Sequence, residues 1–343
     1  MKALVKFKPG LDGIELRDIP EPVPMKHEIK VKVVAAGLCG SDLHIIHDMI
    51  KVNMPIAIGH EFVGIVEEVG EMVTKFKPGD WITSLTTFRS CGQCRYCKEG
   101  KVMFCKERKG LGFHVNGAIA EYVLIAEENA ILIPEKIEDK ITAAVGEPFG
   151  CAARGAMERN HVCKDDLVII CGPGMLGLSA VQIAKRCGAT VFVYGLERDR
   201  ERLQTALNIG ADAIFTDRAS LEKEVFRCSE YGADVAFEVT GAEACLNMCI
   251  DLLRKGGSIA QMGLYREPPK INLNKMTDNE IQLTNNFGCH RSTWEIVLNL
   301  MEEKQVDFDI YMENRFQLEQ WREAIQKAES KEALKVLFIP NRI

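Results

Sequence analysis

The stretch that decides the fold is Leu167-Val-Ile-Ile-Cys-Gly-Pro-Gly-Met-Leu-Gly177, after which a helical pattern runs to Arg186. Its first four residues are all apolar, which is typical of a strand buried on both faces. Three glycines with G-x-G-x-x-G spacing follow, between this strand and the helix, and that context gives the motif its meaning. The turn and the free N–H groups at the helix start suit a dinucleotide pyrophosphate. The predicted nucleotide-binding residues are Gly172, Gly174, Met175, Leu176 and Gly177.

The same pattern continues on the C-terminal side of this motif. Apolar strand-like stretches at 190–194, 235–239 and 258–262 alternate with helical stretches, and the alternation ends near residue 287. Strands that alternate with helices predict βαβ units and a parallel sheet. A final apolar stretch, Lys335–Ile339, reads as a strand, and the tail that carries it is able to pack on the first part of the chain.

The residues after the second strand leave the choice of nucleotide open. A carboxylate is expected there, about 20 residues after the glycines, to hold the ribose hydroxyls. Gly195 occupies that position and Glu197 follows two residues later, whereas Arg198, Arg200 and Arg202 are able to meet a 2′-phosphate. Both NAD and NADP are therefore possible cofactors. At least half of these charged side chains are expected to be solvated residues at the start of a helix.

The first 150 residues follow a different pattern. The segment Glu28–Val34 alternates polar and apolar residues, and short apolar stretches separated by turns follow it, which predicts a β-rich, barrel-like or partly open antiparallel fold.

With 343 residues the chain suggests two domains. A net charge of −6 disfavours a dedicated nucleic-acid binder. Neither a membrane span nor a signal peptide is evident, so a cytoplasmic protein is expected.

Four of the 13 cysteines are clustered with the spacing C-x2-C-x2-C-x7-C. These are Cys91, Cys94, Cys97 and Cys105. In a long intracellular chain such a cluster indicates metal ligands rather than disulfides. Four thiolates complete a tetrahedral zinc shell with no open position, which predicts a structural zinc site. An iron–sulfur cluster is the weaker alternative.

A second candidate metal site combines two separated motifs. Cys39 opens the segment Cys39-Gly-Ser-Asp42, and His60 lies in Gly59-His-Glu-Phe-Val-Gly64. A cysteine and a histidine form a ligand pair of the kind that a catalytic zinc uses, with one position kept for water or substrate. The alternative for a lone histidine beside a glycine is a polar loop residue, but the combination of the two motifs favours the metal site.

Together these motifs resemble the medium-chain zinc-containing alcohol dehydrogenase family, over nearly the whole chain. The resemblance implies an α/β protein with a GroES-like β-rich catalytic domain and an inserted Rossmann domain with a doubly wound parallel sheet. The implied catalytic domain comprises residues 1–148 and 287–343, with a structural zinc lobe at 88–108. The implied Rossmann domain comprises residues 149–286. It also implies one catalytic and one structural zinc, NAD or NADP, and a homodimer or homotetramer.

The resemblance is greatest to the sorbitol and threonine dehydrogenase branch, and it assigns roles to further residues. Glu147 matches the carboxylate ligand of the catalytic zinc, and Glu61 is its rival for that place. Ser41 and His44 match a pair that passes the substrate proton outward. Asp42 either orients His60 from behind or simply caps a helix.

The implied activity is hydride transfer between NAD(P) and a secondary alcohol of a polyol or polyol phosphate, giving a ketone. Sorbitol dehydrogenases carry an Arg-Tyr pair where this chain has Cys289-His290, which puts sorbitol itself in doubt. His290 and Arg291 suggest a cationic end of the pocket, although Arg291 is slightly better explained as a solvated helix start. The first alternative is L-threonine 3-dehydrogenase, which Glu147 mildly disfavours. A non-catalytic nucleotide sensor and a zinc-free quinone reductase are remote alternatives.

Overall fold

A computed structural model describes residues 1–341 of the chain. The chain forms two compact units, one of Met1–Glu147 together with the segment from Phe308 onward, and one of Pro148–Asp307. None of the helices in the described residues combines the length and hydropathy that a bilayer span requires.

The N-terminal segment is mostly β-structure, as the alternating pattern predicted. Its strands are β1 (Lys2–Lys6), β2 (Ile14–Asp18), β3 (Glu28–Leu38), β4 (Ile56–Ala57), β5 (Glu61–Val69), β6 (Trp81–Ser84), β7 (Thr87–Arg89), β8 (Lys109–Gly110), β9 (Tyr122–Ala126) and β10 (Ala130–Leu132). Its helices are α1 (Gly40–Ile46), α2 (Arg95–Lys98) and α3 (Gly146–Ala153).

Strands and helices alternate in the middle segment. The strands are β11 (Leu167–Cys171), β12 (Thr190–Tyr194), β13 (Ala213–Phe215), β14 (Ala233–Glu238), β15 (Leu253–Gln261) and β16 (Gln282–Asn285). The helices are α4 (Met175–Arg186), α5 (Arg200–Asn208), α6 (Arg218–Cys228), α7 (Glu243–Leu252), α8 (Leu273–Asp278) and α9 (Arg291–Glu302). The C-terminal segment adds β17 (Asn314–Phe316), α10 (Trp321–Glu329) and β18 (Val336–Phe338).

The main sheet of the first unit is built around β3. Its strand order is β10-β6-β5-β3-β18-β17, with β9 also paired to β3, and a smaller sheet has the order β2-β1-β4. The pairs with β3 are all antiparallel, and the apolar side chains of Ile29, Val31 and Val33 are fully buried. The partly open antiparallel fold predicted for this region is therefore observed, and the chain returns to it at the C-terminus through β18.

The second unit contains the predicted parallel sheet. Its strand order is β13-β12-β11-β14-β15-β16, and every pair is parallel. The order reverses at β11, which is the doubly wound arrangement with its switch point next to the first strand. Val168, Ile169 and Ile170 are fully buried, which is the reason for the continuous apolar run in the sequence.

The second compact unit extends further along the chain than the predicted Rossmann domain. Residues 287–307 were predicted to belong to the catalytic domain, but they belong to the second unit. Arg154 explains part of this, because its buried guanidinium donates hydrogen bonds to Asn286 Oδ1 and to the carbonyl oxygens of Phe287 and Gly288. Gln182 also pairs with the backbone of Asp307 at 2.6 and 3.0 Å. The last two positions of the predicted range, 342 and 343, lie outside the described residues.

Candidate active site

The pairing of β3 with β5 brings Cys39 and His60 together. Gly37 of β3 is opposite Glu61 of β5, so the residues just beyond these strand ends, Cys39 and His60, are neighbours. The ligand atoms of Cys39, His60 and Glu61 all lie within 4.8 Å of one another. Gly59 has φ +96°, and a Cβ there would lie 2.5 Å from the Ile119 side chain. This turn therefore requires glycine.

Asp42 both caps a helix and faces His60, so the two interpretations left open by the sequence apply together. Its Oδ2 accepts the backbone N–H of Cys39 at 2.9 Å, which caps α1. Its Oδ1 accepts the backbone N–H of Gly59 at 3.2 Å and lies 3.5 Å from His60 Nδ1. Burial alone would lower the pKa of His60, but the Asp42 carboxylate raises it well above its ordinary value. Because the carboxylate faces Nδ1, the other ring nitrogen, Nε2, remains free to bind a metal.

Helix α1 carries the predicted proton-relay residues. Ser41 Oγ lies 3.5 Å from His60 Nε2, and His44 is one turn further along the same face. The Phe113 ring packs against the His60 ring with centroids 5.4 Å apart. Ser41 and His44 are therefore on the helix that begins at the candidate metal ligand Cys39.

The C-terminal end of α1 is anchored by a buried lysine that sequence reasoning missed. Lys6 on β1 is almost fully buried, and its Nζ donates to the carbonyl oxygens of Gly10 and Ile46, each at 2.9 Å. The same nitrogen lies 2.8 Å from Asp48 Oδ1. Since Ile46 ends α1, this lysine holds the relay helix in place.

Glu61 is in the site, but it has a partner that the sequence did not indicate. Lys335, directly before β18, forms a buried ion pair with Glu61 Oε2 and donates to the Leu38 carbonyl at 3.0 Å. Glu61 Oε1 is buried without a hydrogen-bond partner among the described residues. No local pattern could have found Lys335, because only the pairing of β18 with β3 brings it there.

Glu147 is the rival carboxylate for the third zinc position. It is buried at the start of α3, and it does not belong to the group of Cys39, His60 and Glu61 found in residues 1–341. Burial lowers the pKa of Arg108, and the attraction of Glu147 opposes that shift. The guanidinium of Arg108 also donates to the hydroxyl of Thr87 at 2.8 Å.

The four clustered cysteines converge in a lobe between β7 and β8. The sulfur atoms of Cys91, Cys94, Cys97 and Cys105 lie within 4.8 Å of one another. Gly92 and Gly100 have φ values of +71° and +73°, so both turns favour glycine. Backbone N–H groups of Gln93 and Cys94 lower the pKa of Cys91 to about 7. These four soft donors fit a tetrahedral zinc ion.

The glycine motif connects β11 to α4 as predicted. Gly172 has φ +109°, and a Cβ there would lie 2.7 Å from Thr240 Cγ2. A Cβ on Gly177 would overlap the carbonyl oxygen of Gly172, whereas a Cβ on Gly174 would meet no atom within 4 Å. Helix α4 begins at Met175 without a side-chain cap. The N–H groups of its first turn, including those of Met175 and Leu176, have no partner within the helix.

The residues after β12 show why a carboxylate is missing there. Gly195 is buried, and a Cβ on it would lie 3.0 Å from Pro173 Cδ. Glu197 is exposed and accepts a hydrogen bond from Arg200 Nε at 2.7 Å, which lowers its pKa. Arg198 is exposed, whereas burial lowers the pKa of the partly exposed Arg202.

Two further features of the second unit are the cap of α9 and a buried carboxylate at the end of β14. His290 caps α9 through reciprocal hydrogen bonds with Thr293, and Arg291 is exposed as the first residue of this helix.

Glu238, which sequence reasoning missed, is fully buried at the end of β14. Its carboxylate accepts hydrogen bonds from Thr240 N at 2.8 Å and from the Tyr265 hydroxyl at 2.7 Å. It thereby fixes the loop after β14.

The donor sets of the first unit fit metal ions. Cys39, His60 and Glu61 offer sulfur, nitrogen and oxygen, which is a set suited to a catalytic zinc with an open position. One buried atom of this set, Glu61 Oε1, has no hydrogen-bond partner among residues 1–341. Such orphaned polar atoms are costly unless a further ligand satisfies them.

Comparisons with known proteins agree with this picture. Residues 25–135 match the alcohol dehydrogenase GroES-like domain, and residues 176–303 match the zinc-binding dehydrogenase domain. The chain is 39% identical to sorbitol dehydrogenase from Halalkalibacterium halodurans, with 99% of both chains covered. It is 35% identical to D-arabitol-phosphate dehydrogenase from Enterococcus avium, with 99% of this chain and 98% of the relative covered.

A threonine dehydrogenase and a solved structure are also similar. L-Threonine 3-dehydrogenase from Saccharopolyspora erythraea is 32% identical, with 98% of both chains covered. A zinc-binding dehydrogenase from Sinorhizobium meliloti 1021, solved bound to NADP, has a TM-score of 0.89 at 28% identity, with 99% of both chains covered.

Proposed function

The chain belongs to the medium-chain zinc-containing alcohol dehydrogenase family, and we propose that it oxidises a secondary alcohol of a polyol or polyol phosphate to the ketone, reversibly, with NAD(P) as hydride acceptor. The observation that carries this proposal is the donor set of the partly exposed Cys39 and the buried His60 and Glu61, whose ligand atoms all lie within 4.8 Å of one another. Similarity to sorbitol and D-arabitol-phosphate dehydrogenases over nearly the full chain supports the substrate class.

Cys39, His60 and Glu61 would hold the catalytic zinc, and Glu147 remains a candidate to exchange with Glu61 as the third ligand. A bound zinc would supply Lewis-acid chemistry that polarises the substrate oxygen. Asp42 keeps the proton of His60 on Nδ1, so that Nε2 presents its lone pair to the metal. Cys91, Cys94, Cys97 and Cys105 would hold a second, structural zinc.

Ser41 and His44 move the proton that alcohol oxidation releases. Ser41 Oγ takes the proton of the substrate hydroxyl, and the His44 imidazole passes it outward, a role for which histidine is the side chain best suited near neutral pH. The position of Ser41 beside His60 Nε2, at 3.5 Å, supports this assignment. Lys6 supports it indirectly by holding the end of the same helix.

Gly172, Gly174 and Gly177 would hold the pyrophosphate of the nucleotide, together with the N–H groups of Met175 and Leu176. We propose that the site accepts NADP as well as NAD. The buried Gly195 leaves no carboxylate to repel a 2′-phosphate, and Glu197 is neutralised by Arg200. Arg198, with Arg202 near it, would supply the positive charge.

A small-molecule polyol is the proposed substrate, with His290 and Arg291 as candidate partners for a phosphate group. The thirteen cysteines, all within the described residues, are free thiols, which suits a reducing compartment such as the cytoplasm. The family resemblance favours a homodimer or homotetramer, which light scattering would test.

The test is reduction of NAD and of NADP, followed separately, with a panel of polyols, polyol phosphates and L-threonine. We expect turnover of a polyol or its phosphate, lost after zinc chelation and restored by zinc. Turnover of threonine alone would instead favour the threonine dehydrogenase alternative. No turnover by protein with bound zinc and nucleotide would refute the proposed substrate class.

A further inference from the structure

The carboxylate of Glu238 is fully buried between two loops of the second unit. One loop, residues 239–242, follows β14, and the other, residues 262–265, follows β15. Because β11, β14 and β15 are neighbouring parallel strands, both loops lie at the sheet edge that carries the glycine motif after β11. The proposed dehydrogenase chemistry does not use Glu238.

Glu238 accepts hydrogen bonds from both loops. Its Oε1 accepts the backbone N–H groups of Thr240 at 2.8 Å and Gly241 at 3.0 Å, and also the hydroxyl of Thr240. Its Oε2 accepts the hydroxyl of Tyr265 at 2.7 Å. The main-chain carbonyl oxygen of Glu238 accepts the N–H of Gly263 at 3.0 Å. One buried residue therefore satisfies donors from two separate loops.

The loop after β14 packs directly against the glycine turn. A Cβ on Gly172 would lie 2.7 Å from Thr240 Cγ2 and 3.2 Å from Val239 Cγ2. A Cβ on Gly177 would lie 3.4 Å from the same Val239 atom. The side chains of Val239 and Thr240 thus contact the turn that would hold the pyrophosphate, and a shift of this loop changes the shape of that turn.

The two loops also contact each other closely through glycines. A Cβ on Gly241 would lie 2.2 Å from the carbonyl oxygen of Leu264, and a Cβ on Gly263 would lie 2.2 Å from the nitrogen of Gly241. Thr240 and Leu264 are exposed, so apolar burial contributes little to holding these loops in place. Their position therefore depends on the hydrogen bonds to Glu238.

We propose that Glu238 is a positioning residue of the nucleotide site, which holds the loop after β14 against the glycine turn and thereby sets the affinity for the dinucleotide. This role rests on the proposed function, because it requires that the Gly172 turn receives the pyrophosphate. Since Glu238 is fully buried, it acts through the loop and not on the nucleotide itself.

Two substitutions of Glu238 differ in whether the loop keeps its acceptor. In E238M the loop N–H groups and the Tyr265 hydroxyl lose their acceptor, while methionine fills nearly the same volume. These donors regain partners only by turning to water, which moves Thr240 away from Gly172. In E238Q the amide oxygen still accepts from the loop, and the amide nitrogen donates to the Tyr265 hydroxyl, which can rotate to accept.

The test is the Kd of NADH and of NADPH, measured by nucleotide fluorescence on the full-length, zinc-loaded protein without substrate. In E238M we expect the Kd to rise about tenfold, in the range for residues that act on a ligand without touching it. In E238Q it should stay within about twofold of the wild type. Bound nucleotide should also raise the melting temperature of E238M less than that of the wild type.

A control at the opposite end of the same strand separates positioning from stability. Asp234, near the start of β14, accepts the backbone N–H of Leu167 at 2.8 Å and the guanidinium of Arg254 at 2.6 Å. D234L also removes a hydrogen-bonded carboxylate and should lower the melting temperature. It should leave the nucleotide Kd unchanged, because Asp234 lies at the sheet edge remote from the glycine turn.

Y265F keeps the test decisive if E238M fails to fold, because it removes one donor of the cluster and retains the aromatic ring. Its Kd should rise about threefold. A Kd for folded E238M equal to that of D234L would overturn the positioning role, as would an unchanged Kd for Y265F where E238M does not fold.

The measurement also distinguishes this role from the proposed function. If the wild type bound nucleotide but oxidised no polyol, the proposed substrate class would fail, while the comparison of E238M with D234L would still decide the role of Glu238. If the wild type bound neither NADH nor NADPH, the proposed nucleotide site and the positioning role would both be refuted.

Discussion

Replacement of Lys335 by methionine should be among the most destabilising single changes in the first unit. The exposed fractions of Lys335 and Glu61 are 5% and 1%, and the two form an ion pair. K335M would leave the Glu61 carboxylate buried without its cation. Breaking a buried pair on one side costs about 3–5 kcal/mol. At about 2–4 °C per kcal/mol for a unit of this size, the melting temperature should fall by roughly 6–20 °C.

The assay is thermal melting followed by circular dichroism, with all variants stripped of metal by chelation, because a zinc ion on Glu61 would itself compensate the carboxylate. The matched control is K26M, because Lys26 and Glu71 form an exposed pair at 3.0 Å with side chains 73% and 65% exposed. Such pairs contribute at most about 1 kcal/mol. Adding E61Q to K335M should recover part of the loss, since it removes the stranded charge. A shift for K335M no larger than that for K26M would refute the reasoning.

Three further predictions concern the relay helix and the nucleotide loop. K6M should cost about 1–3 kcal/mol in thermal melting, because it leaves the buried Ile46 carbonyl oxygen and the partly buried Gly10 carbonyl oxygen without their donor; an unchanged melting temperature would contradict this. G177A should lower the melting temperature because its Cβ overlaps backbone, whereas G174A should melt normally yet weaken NAD(P) binding about tenfold in a fluorescence titration. H44Q should lower kcat for polyol oxidation about 100-fold at neutral pH, while the control H47Q, which changes an exposed histidine, should retain activity.

The Rossmann half of the chain was predictable because its signals are local. The buried strand, the glycine turn and the helix that follows are contiguous, and the structure has them at Leu167–Cys171 and Met175–Arg186. The four clustered cysteines were predictable for the same reason. Gly195 lies where a ribose-binding carboxylate was expected, and a Cβ on it would lie 3.0 Å from Pro173 Cδ.

Features that depend on long-range pairing were not predictable in the same way. Cys39 and His60 were paired from their residue types and motifs, but nothing local in the sequence showed their proximity, which arises from the register of β3 with β5. Lys335 gave no signal, because it reaches Glu61 through the pairing of β18 with β3. The change of pattern near residue 287 does not coincide with the division between the compact units, because the tertiary contacts of Arg154 and Gln182 hold residues 287–307 in the second unit.

The central claim is that Cys39, His60 and Glu61 hold a catalytic zinc that is separate from the zinc of the four-cysteine lobe. The most direct measurement is the zinc content per folded chain of the wild type and of H60A, by atomic emission after exhaustive buffer exchange. We predict about two zinc ions for the wild type and about one for H60A, with the remaining ion lost on further mutation of Cys97. Equal zinc content in the wild type and H60A would contradict the account.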